Sequence, residues 1–192
     1  MYFTKHFHTD SCLMYDYLEE IPMYTGNERN GQKFFDRPKG IAKPESMKYG
    51  WTWRKRLTET TERIWDEEVG LYKTKIMCDY PDLIHIFREF AHNHFPHFKW
   101  TQLQINMMPE GTSIKTHLDK KNTGDSLLIA FGDYEGGTGY RFEGEAKINY
   151  DARENIQIFN GAKIKHGVNT VTHGKRYSLV FYNDILKRYT RY

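Results

Sequence analysis

A chain of 192 residues, 39% hydrophobic and 16% aromatic, is long enough to bury one substantial core and too apolar for a disordered polymer. Its formal net charge of +3 permits an anionic partner without requiring one, and two cysteines, Cys12 and Cys78, exclude a disulfide framework. The N-terminus MYFTKHFHTD has no apolar signal core and no stretch reaches the length of a membrane span, so a soluble intracellular protein of the cytoplasm or nucleus, without a membrane partner, is expected.

The first hundred residues read as irregular, then helical. Residues 24–50 carry Gly26, Gly31, Pro38, Gly40, Pro44 and Gly50 and predict loop. Between Arg29 and Arg56 lie nine cationic residues, opposed only by Asp36 and Glu45 and interleaved with Phe34, Phe35, Tyr49, Trp51 and Trp53. Basic and aromatic residues alternating in this way fit a nucleic-acid-binding surface, with Arg54, Lys55 and Arg56 as phosphate contacts. A solvated loop with a few core aromatics has the same composition. Residues 59–68 predict a helix with a thin apolar stripe. A stronger helix is predicted over residues 81–93, where Leu83, Ile86, Phe87, Phe90 and Ala91 share one face. His92, His94 and His97 at its end, bounded by Pro96, read as surface residues.

From residue 101 the period changes to two. Leu103, Ile105 and Met107 alternate with Gln102, Gln104 and Asn106. Short strands are predicted at 126–131, 139–143, 155–159, 163–166 and 176–182, with a turn at Gly132-Asp133-Tyr134-Glu135-Gly136-Gly137. Many short strands with Gly-rich turns predict an antiparallel sandwich or barrel. The expected organisation is one domain over 1–192, with helix and loop support in 1–100 and a β core in 101–186.

Thr116-His117-Leu118-Asp119 sets a histidine and a carboxylate two residues apart, on one face if the segment is a strand. A second histidine would complete a two-histidine, one-carboxylate site, which leaves three positions of an octahedral ferrous ion open for a chelating 2-oxo acid and O2. His166 and His173 are the candidates. His166 follows a predicted strand, whereas His173 lies in the turn just before Arg176. The expected ligands are therefore His117, Asp119 and His166. Arg176, ten residues after His166, offers a planar, permanently charged fork for the far carboxylate of 2-oxoglutarate. Ser178, on the same strand face, can donate to the same carboxylate, and Asn106, on the polar face of its strand, joins the expected cosubstrate site.

The segments His117-Leu118-Asp119-Lys120-Lys121-Asn122-Thr123-Gly124-Asp125-Ser126, Phe131-Gly132-Asp133-Tyr134-Glu135-Gly136-Gly137 and Arg176-Tyr177-Ser178-Leu179-Val180-Phe181-Tyr182 resemble the TET/JBP family over residues 101–184. The resemblance implies an α+β fold with a double-stranded β-helix (jelly-roll) core. It also implies Fe(II) and 2-oxoglutarate as cofactors, ascorbate as reductant, O2 as co-substrate, and hydroxylation of the 5-methyl group of 5-methylcytosine or thymine in DNA. By position, it makes Asn122 a hydrogen-bonding partner of the flipped base and Tyr182 its stacking partner. Asp184 departs from the pattern, standing where oxidases of 5-methylcytosine place a histidine that donates to cytosine N3. An ionised carboxylate only accepts, which suits the N3–H of thymine, whereas a protonated carboxyl or one pointing elsewhere leaves cytosine open, and the Asn122 amide can face either base. A prolyl- or asparaginyl-type protein hydroxylase and an AlkB-like nucleic-acid demethylase would carry the same iron site, and a catalytically dead binding module would not need all four residues.

Overall fold

The computed structural model describes residues 5–21, 35–42, 44–52, 64–67, 71–153 and 155–184. Two antiparallel sheets form its centre. The first runs β1 (Phe35–Asp36), β7 (Ser113–His117), β13 (His166–Val168), β10 (Gly139–Glu143), β11 (Ala146–Tyr150). The second runs β12 (Gln157–Phe159), β8 (Asn122–Phe131), β14 (Val171–Asp184), β6 (Gln102–Pro109), β2 (Glu45–Tyr49), with β9 (Tyr134–Gly136) paired to the start of β14. A small third sheet holds β3 (Trp51–Thr52), β5 (Leu71–Lys73) and β4 (Trp65–Asp66). The helices among the described residues are α1 (Lys5–Glu20), α2 (Lys75–Asp79) and α3 (Leu83–His94). None of the described helices is long and apolar enough to cross a membrane.

Strand alternation divides the interior into two layers with different chemistry. Leu103 and Ile105 of β6, Leu127, Ile129 and Phe131 of β8, and Tyr177, Leu179 and Phe181 of β14 meet Met14 and Leu18 of α1 and Phe87, Phe90 and Ala91 of α3 in one core. Fully burying a Leu or Phe stabilises by about 1.5–3 kcal/mol, so this helix-facing layer supplies most of the cohesion. The opposite faces of the same strands send Met108, Leu128 and Ala130 between the sheets, against Val168 and the partly buried Ile114 and Tyr150. That inner layer also contains buried Asn106, Ser126, Arg176 and Ser178. With cohesion supplied on one face, the other can hold polar groups.

The α+β double-stranded β-helix is as expected, and α3 matches the helix predicted at 81–93, with Pro81 and Asp82 forming the turn before it. Other local expectations are corrected. The irregular N-terminal reading missed α1, whose buried Met14 and Leu18 are spaced four residues apart, with buried Ile21 following just past its end. The loop read over 24–50 contains β1 and β2, and β2 extends the second sheet by pairing Ser46 with Asn106 and Lys48 with Gln104. Within the helix predicted at 59–68, the described residues contain β4 instead, paired to β5. The strand predicted at 163–166 begins only at His166, because the amides of Lys163 and Ile164 both donate to the Asn160 carbonyl in a turn. Arg54, Lys55 and Arg56 lie outside the described residues.

Candidate metal centre and cosubstrate pocket

His117 ends β7 and His166 begins β13, and the two are register partners. Side chains of directly paired residues share a sheet face, and here the imidazole centroids are 4.3 Å apart. Asp119 lies beyond the end of β7, in the turn that leads to β8, rather than on the strand as its spacing suggested. Two backbone bonds fix that turn: Asp119 N–H donates to Gly161 O at 2.9 Å, and Asn122 N–H donates to Asp119 O at 2.8 Å. The carboxylate therefore reaches both rings, with Oδ1 3.5 Å from His117 Nε2 and Oδ2 3.3 Å from His166 Nε2. The three ligand atoms lie within 4.8 Å of one another, the one such His/Cys/Asp/Glu group among the described residues.

The tautomers suit a metal. His117 Nδ1 is 2.8 Å from Lys115 O and His166 Nδ1 is 2.8 Å from Ile164 O. A carbonyl only accepts, so each Nδ1 carries a hydrogen, and Nε2 is the ring atom that faces Asp119 and would bind a metal. Burial opposes ionisation of Asp119, but hydrogen bonds and charge from His117 and His166 outweigh it and hold its carboxyl well below the usual carboxylate range. Gly161 leaves the space this cluster needs, because a Cβ there would stand 3.1 Å from Asp119 Oδ2 and 3.3 Å from His166 Cε1. Phe159 packs against the His166 ring at 5.0 Å.

Arg176 lies on the inner face of β14 with 1% of its surface exposed. Among the described residues its Nε and Nη2 have no hydrogen-bond partner, and Nη1 reaches only the thioether of Met108 at 3.8 Å. An isolated buried guanidinium is costly and calls for an anion. Two residues along the same face, Ser178 accepts from Asn106 Nδ2 at 3.3 Å, while Asn106 Oδ1 accepts from Ser46 Oγ at 2.9 Å. Ser178 thus keeps its own hydroxyl hydrogen to donate. A carboxylate set between Arg176 and Ser178 would supply what both lack, and 2-oxoglutarate fits that donor set. The Gly-rich segment after β8 builds the other side of this pocket. Tyr134 places its ring 5.9 Å from the Arg176 guanidinium carbon, and a Cβ at Gly137 (φ +59°) would lie 3.0 Å from Arg176 Cδ.

The three expected substrate residues occupy one end of the second sheet. Asn122 and Asp184 are cross-strand partners, and Asn122 Nδ2 donates to Ser126 Oγ at 3.1 Å. Asp184 Oδ2 accepts from Lys48 Nζ at 3.1 Å, and that ammonium lies 5.7 Å from the Tyr182 ring centroid. Sequence reasoning grouped Lys48 with the basic surface segment, and it missed Ser46 and Gly161. Alternation of Ser46 and Lys48 between Met47 and Tyr49 was the signal for the first two. Two other histidines lie away from this site. His173 is exposed and sits 3.6 Å from Glu110, and His94 ties α3 to Asp10 of α1 at 2.8 Å.

No family model and no curated protein matches the chain. Solved structures do. OsALKBH1 superposes with a TM-score of 0.53 at 16% identity, over 93% of this chain and 95% of that one. An oxidoreductase of the 2OG-Fe(II) oxygenase family from Burkholderia pseudomallei gives 0.52 at 18%, over 89% and 77%. The fold is that of the 2-oxoglutarate and Fe(II) oxygenases. A prolyl hydroxylase in complex with a hypoxia inducible factor oxygen degradation domain peptide fragment, from Trichoplax adhaerens, gives 0.51 at 10%, over 98% and 83%. At such identities the likeness establishes the fold, and the substrate has to be argued from the residues of the site.

Proposed function

We propose that this chain is an Fe(II)- and 2-oxoglutarate-dependent dioxygenase that hydroxylates the 5-methyl group of 5-methylcytosine or thymine in DNA. The observation that carries the enzymatic part is the pairing of two features in one inner layer: the His117, Asp119 and His166 cluster, and the buried Arg176, whose Nε and Nη2 are unpartnered among the described residues. Fe(II) with 2-oxoglutarate, when bound, supplies the oxidative chemistry, in which O2 and the 2-oxo acid are consumed and succinate, CO2 and the hydroxylated methyl group are formed. His117, Asp119 and His166 hold the metal by one face. Arg176 and Ser178, braced by Asn106, take the far carboxylate and fix the cosubstrate's direction. A base methyl group reaches such a centre only if the base leaves the stack. Asn122, Tyr182 and Asp184, grouped at one end of the second sheet, offer the hydrogen-bonding and stacking groups for an extruded base, and Arg54, Lys55 and Arg56 the phosphate contacts.

The test is incubation of the full chain with Fe(II), 2-oxoglutarate, ascorbate and DNA with or without 5-methylcytosine, followed by nucleoside mass spectrometry. A hydroxymethylated pyrimidine is expected. The fold shared with the prolyl hydroxylase and OsALKBH1 structures favours two other readings, a protein hydroxylase and an AlkB-like demethylase. Succinate formed without any modified nucleoside would favour the first. Loss of N-methyl groups from methylated bases would favour the second.

A further inference from the structure

Lys48 does not behave as the surface cation its sequence neighbourhood suggests. It lies on the inner face of β2, 19% exposed, with its ammonium against Asp184 and over Tyr182. Asp184 is 8% exposed, and only its Oδ2 is taken up by Lys48; Oδ1 is buried without a partner among the described residues. A buried carboxylate oxygen with an open lone pair is an acceptor waiting for a donor. On the other side, the Asn122 side-chain amide donates one hydrogen to Ser126 and, among the described residues, keeps the second. The sheet order β8, β14, β6, β2 places Asn122 on one flank of Asp184 and Lys48 on the other.

We propose that Asn122, Asp184 and Lys48 form a donor–acceptor–donor row that reads the edge of the substrate base, with Lys48 as a specificity residue. The inference rests on the base-oxidation reading above and deepens it. A central acceptor flanked by donors complements an edge whose middle nitrogen carries hydrogen between two carbonyls. Thymine has that edge: Asp184 Oδ1 accepts from N3–H while Lys48 and Asn122 donate to O4 and O2, in either order. Cytosine presents the lone pair of N3 at the centre, so a 5-methylcytosine in the same pose sets acceptor against acceptor. Lys48 adds a second effect. By pairing with Oδ2 it fixes the carboxylate so that the other oxygen, Oδ1, is the one left to accept from the base. The row is also tied to the metal centre, since the backbone N–H of Asn122 donates to the backbone carbonyl of Asp119.

The experiment supplies the full chain with Fe(II), 2-oxoglutarate and one DNA carrying thymine and 5-methylcytosine at matched sites, and reads the ratio of hydroxymethyluracil to hydroxymethylcytosine. One misdirected edge contact is worth about tenfold or more, so the ratio is expected to exceed about ten in the unaltered protein. Lys48→Met should lower the ratio at least about fivefold, Lys48→Arg should restore part of it, and Asp184→Asn, which can turn a donor to the centre, should move it toward hydroxymethylcytosine. Both products come from one sample, so a folding defect reduces them together and leaves the ratio alone. A ratio below one in the unaltered protein, or one that Lys48→Met does not move, overturns the inference while leaving base oxidation standing. Absence of both products removes the base-oxidation reading itself, and this inference with it.

Discussion

Asp119 and Gly161 are joined by a backbone hydrogen bond of 2.9 Å, and the missing side chain of Gly161 is the space into which Asp119 Oδ2 and His166 Cε1 project. Gly161 does not need positive φ, so alanine is conformationally acceptable there. Gly161→Ala should therefore leave stability unchanged or raise it by about 0.4–1 kcal/mol through the unfolded chain. Its Cβ should nevertheless displace a ligand and weaken metal binding by about tenfold or more. Thermal unfolding of the metal-free protein and titration with Co(II) separate the two effects; a parallel loss of both would mean that Gly161 serves only the fold.

Arg176 makes the opposite trade. Replacing even a buried ion pair by apolar residues of similar volume is often neutral or stabilising by about 1–4 kcal/mol, and a buried charge with no anion beside it costs more than a paired one. Arg176→Met should raise the unfolding temperature of the ligand-free protein and abolish the stabilisation that 2-oxoglutarate confers on the unaltered one. Arg176→Lys should recover little of that stabilisation, because an ammonium cannot bind a carboxylate bidentately. Differential scanning fluorimetry with and without 2-oxoglutarate reads both. A ligand-induced shift that survives Arg176→Met would place the carboxylate elsewhere.

Two phenols report on the layers of the core. Burial pushes Tyr49, in the helix-facing layer, and Tyr150, between the sheets, up to about 12, although Arg88 opposes the shift at Tyr49 and Arg176 and Arg141 oppose it at Tyr150. The unfolded chain ionises its tyrosines near 10. The contribution of these two groups to stability is thus complete below about pH 10 and is lost as pH rises from about 10 toward 12. Spectrophotometric titration should show a late tyrosine phase that merges with unfolding. Complete ionisation of all tyrosines near pH 10 with the fold intact would contradict this.

Arg54, Lys55 and Arg56 carry the proposed phosphate contacts. Neutralising all three should weaken DNA binding and reduce the slope of log affinity against log salt by about 2–3. An unchanged slope, measured by fluorescence anisotropy across a salt series, would remove these residues from the interface.

Most of the candidate site was legible because it falls on alternating strands at fixed spacing. Arg176 followed by Ser178 keeps the period of two that one sheet face requires, and His166, the first residue of β13, pairs directly with His117 at the end of β7. Asp119 reached the same side by a different route, a turn held by Gly161, a residue 42 positions away that no local pattern connects to it. β2 stayed hidden because its inward residues, Ser46 and Lys48, are polar. In an ordinary sheet the inward face is apolar, and an interior that holds a site inverts that cue. The same inversion made Lys48 look like one more surface cation. α1 was obscured by its polar start, although the spacing of Met14 and Leu18 is helical.

The most direct test of the metal centre is succinate formation from 2-oxoglutarate by the full chain with Fe(II), compared with Asp119→Ala and His166→Ala. The unaltered protein should convert 2-oxoglutarate to succinate, with both variants reduced to the rate of free iron, while His173→Ala keeps full turnover. Succinate formed by Asp119→Ala at the unaltered rate would show that the iron is held somewhere else.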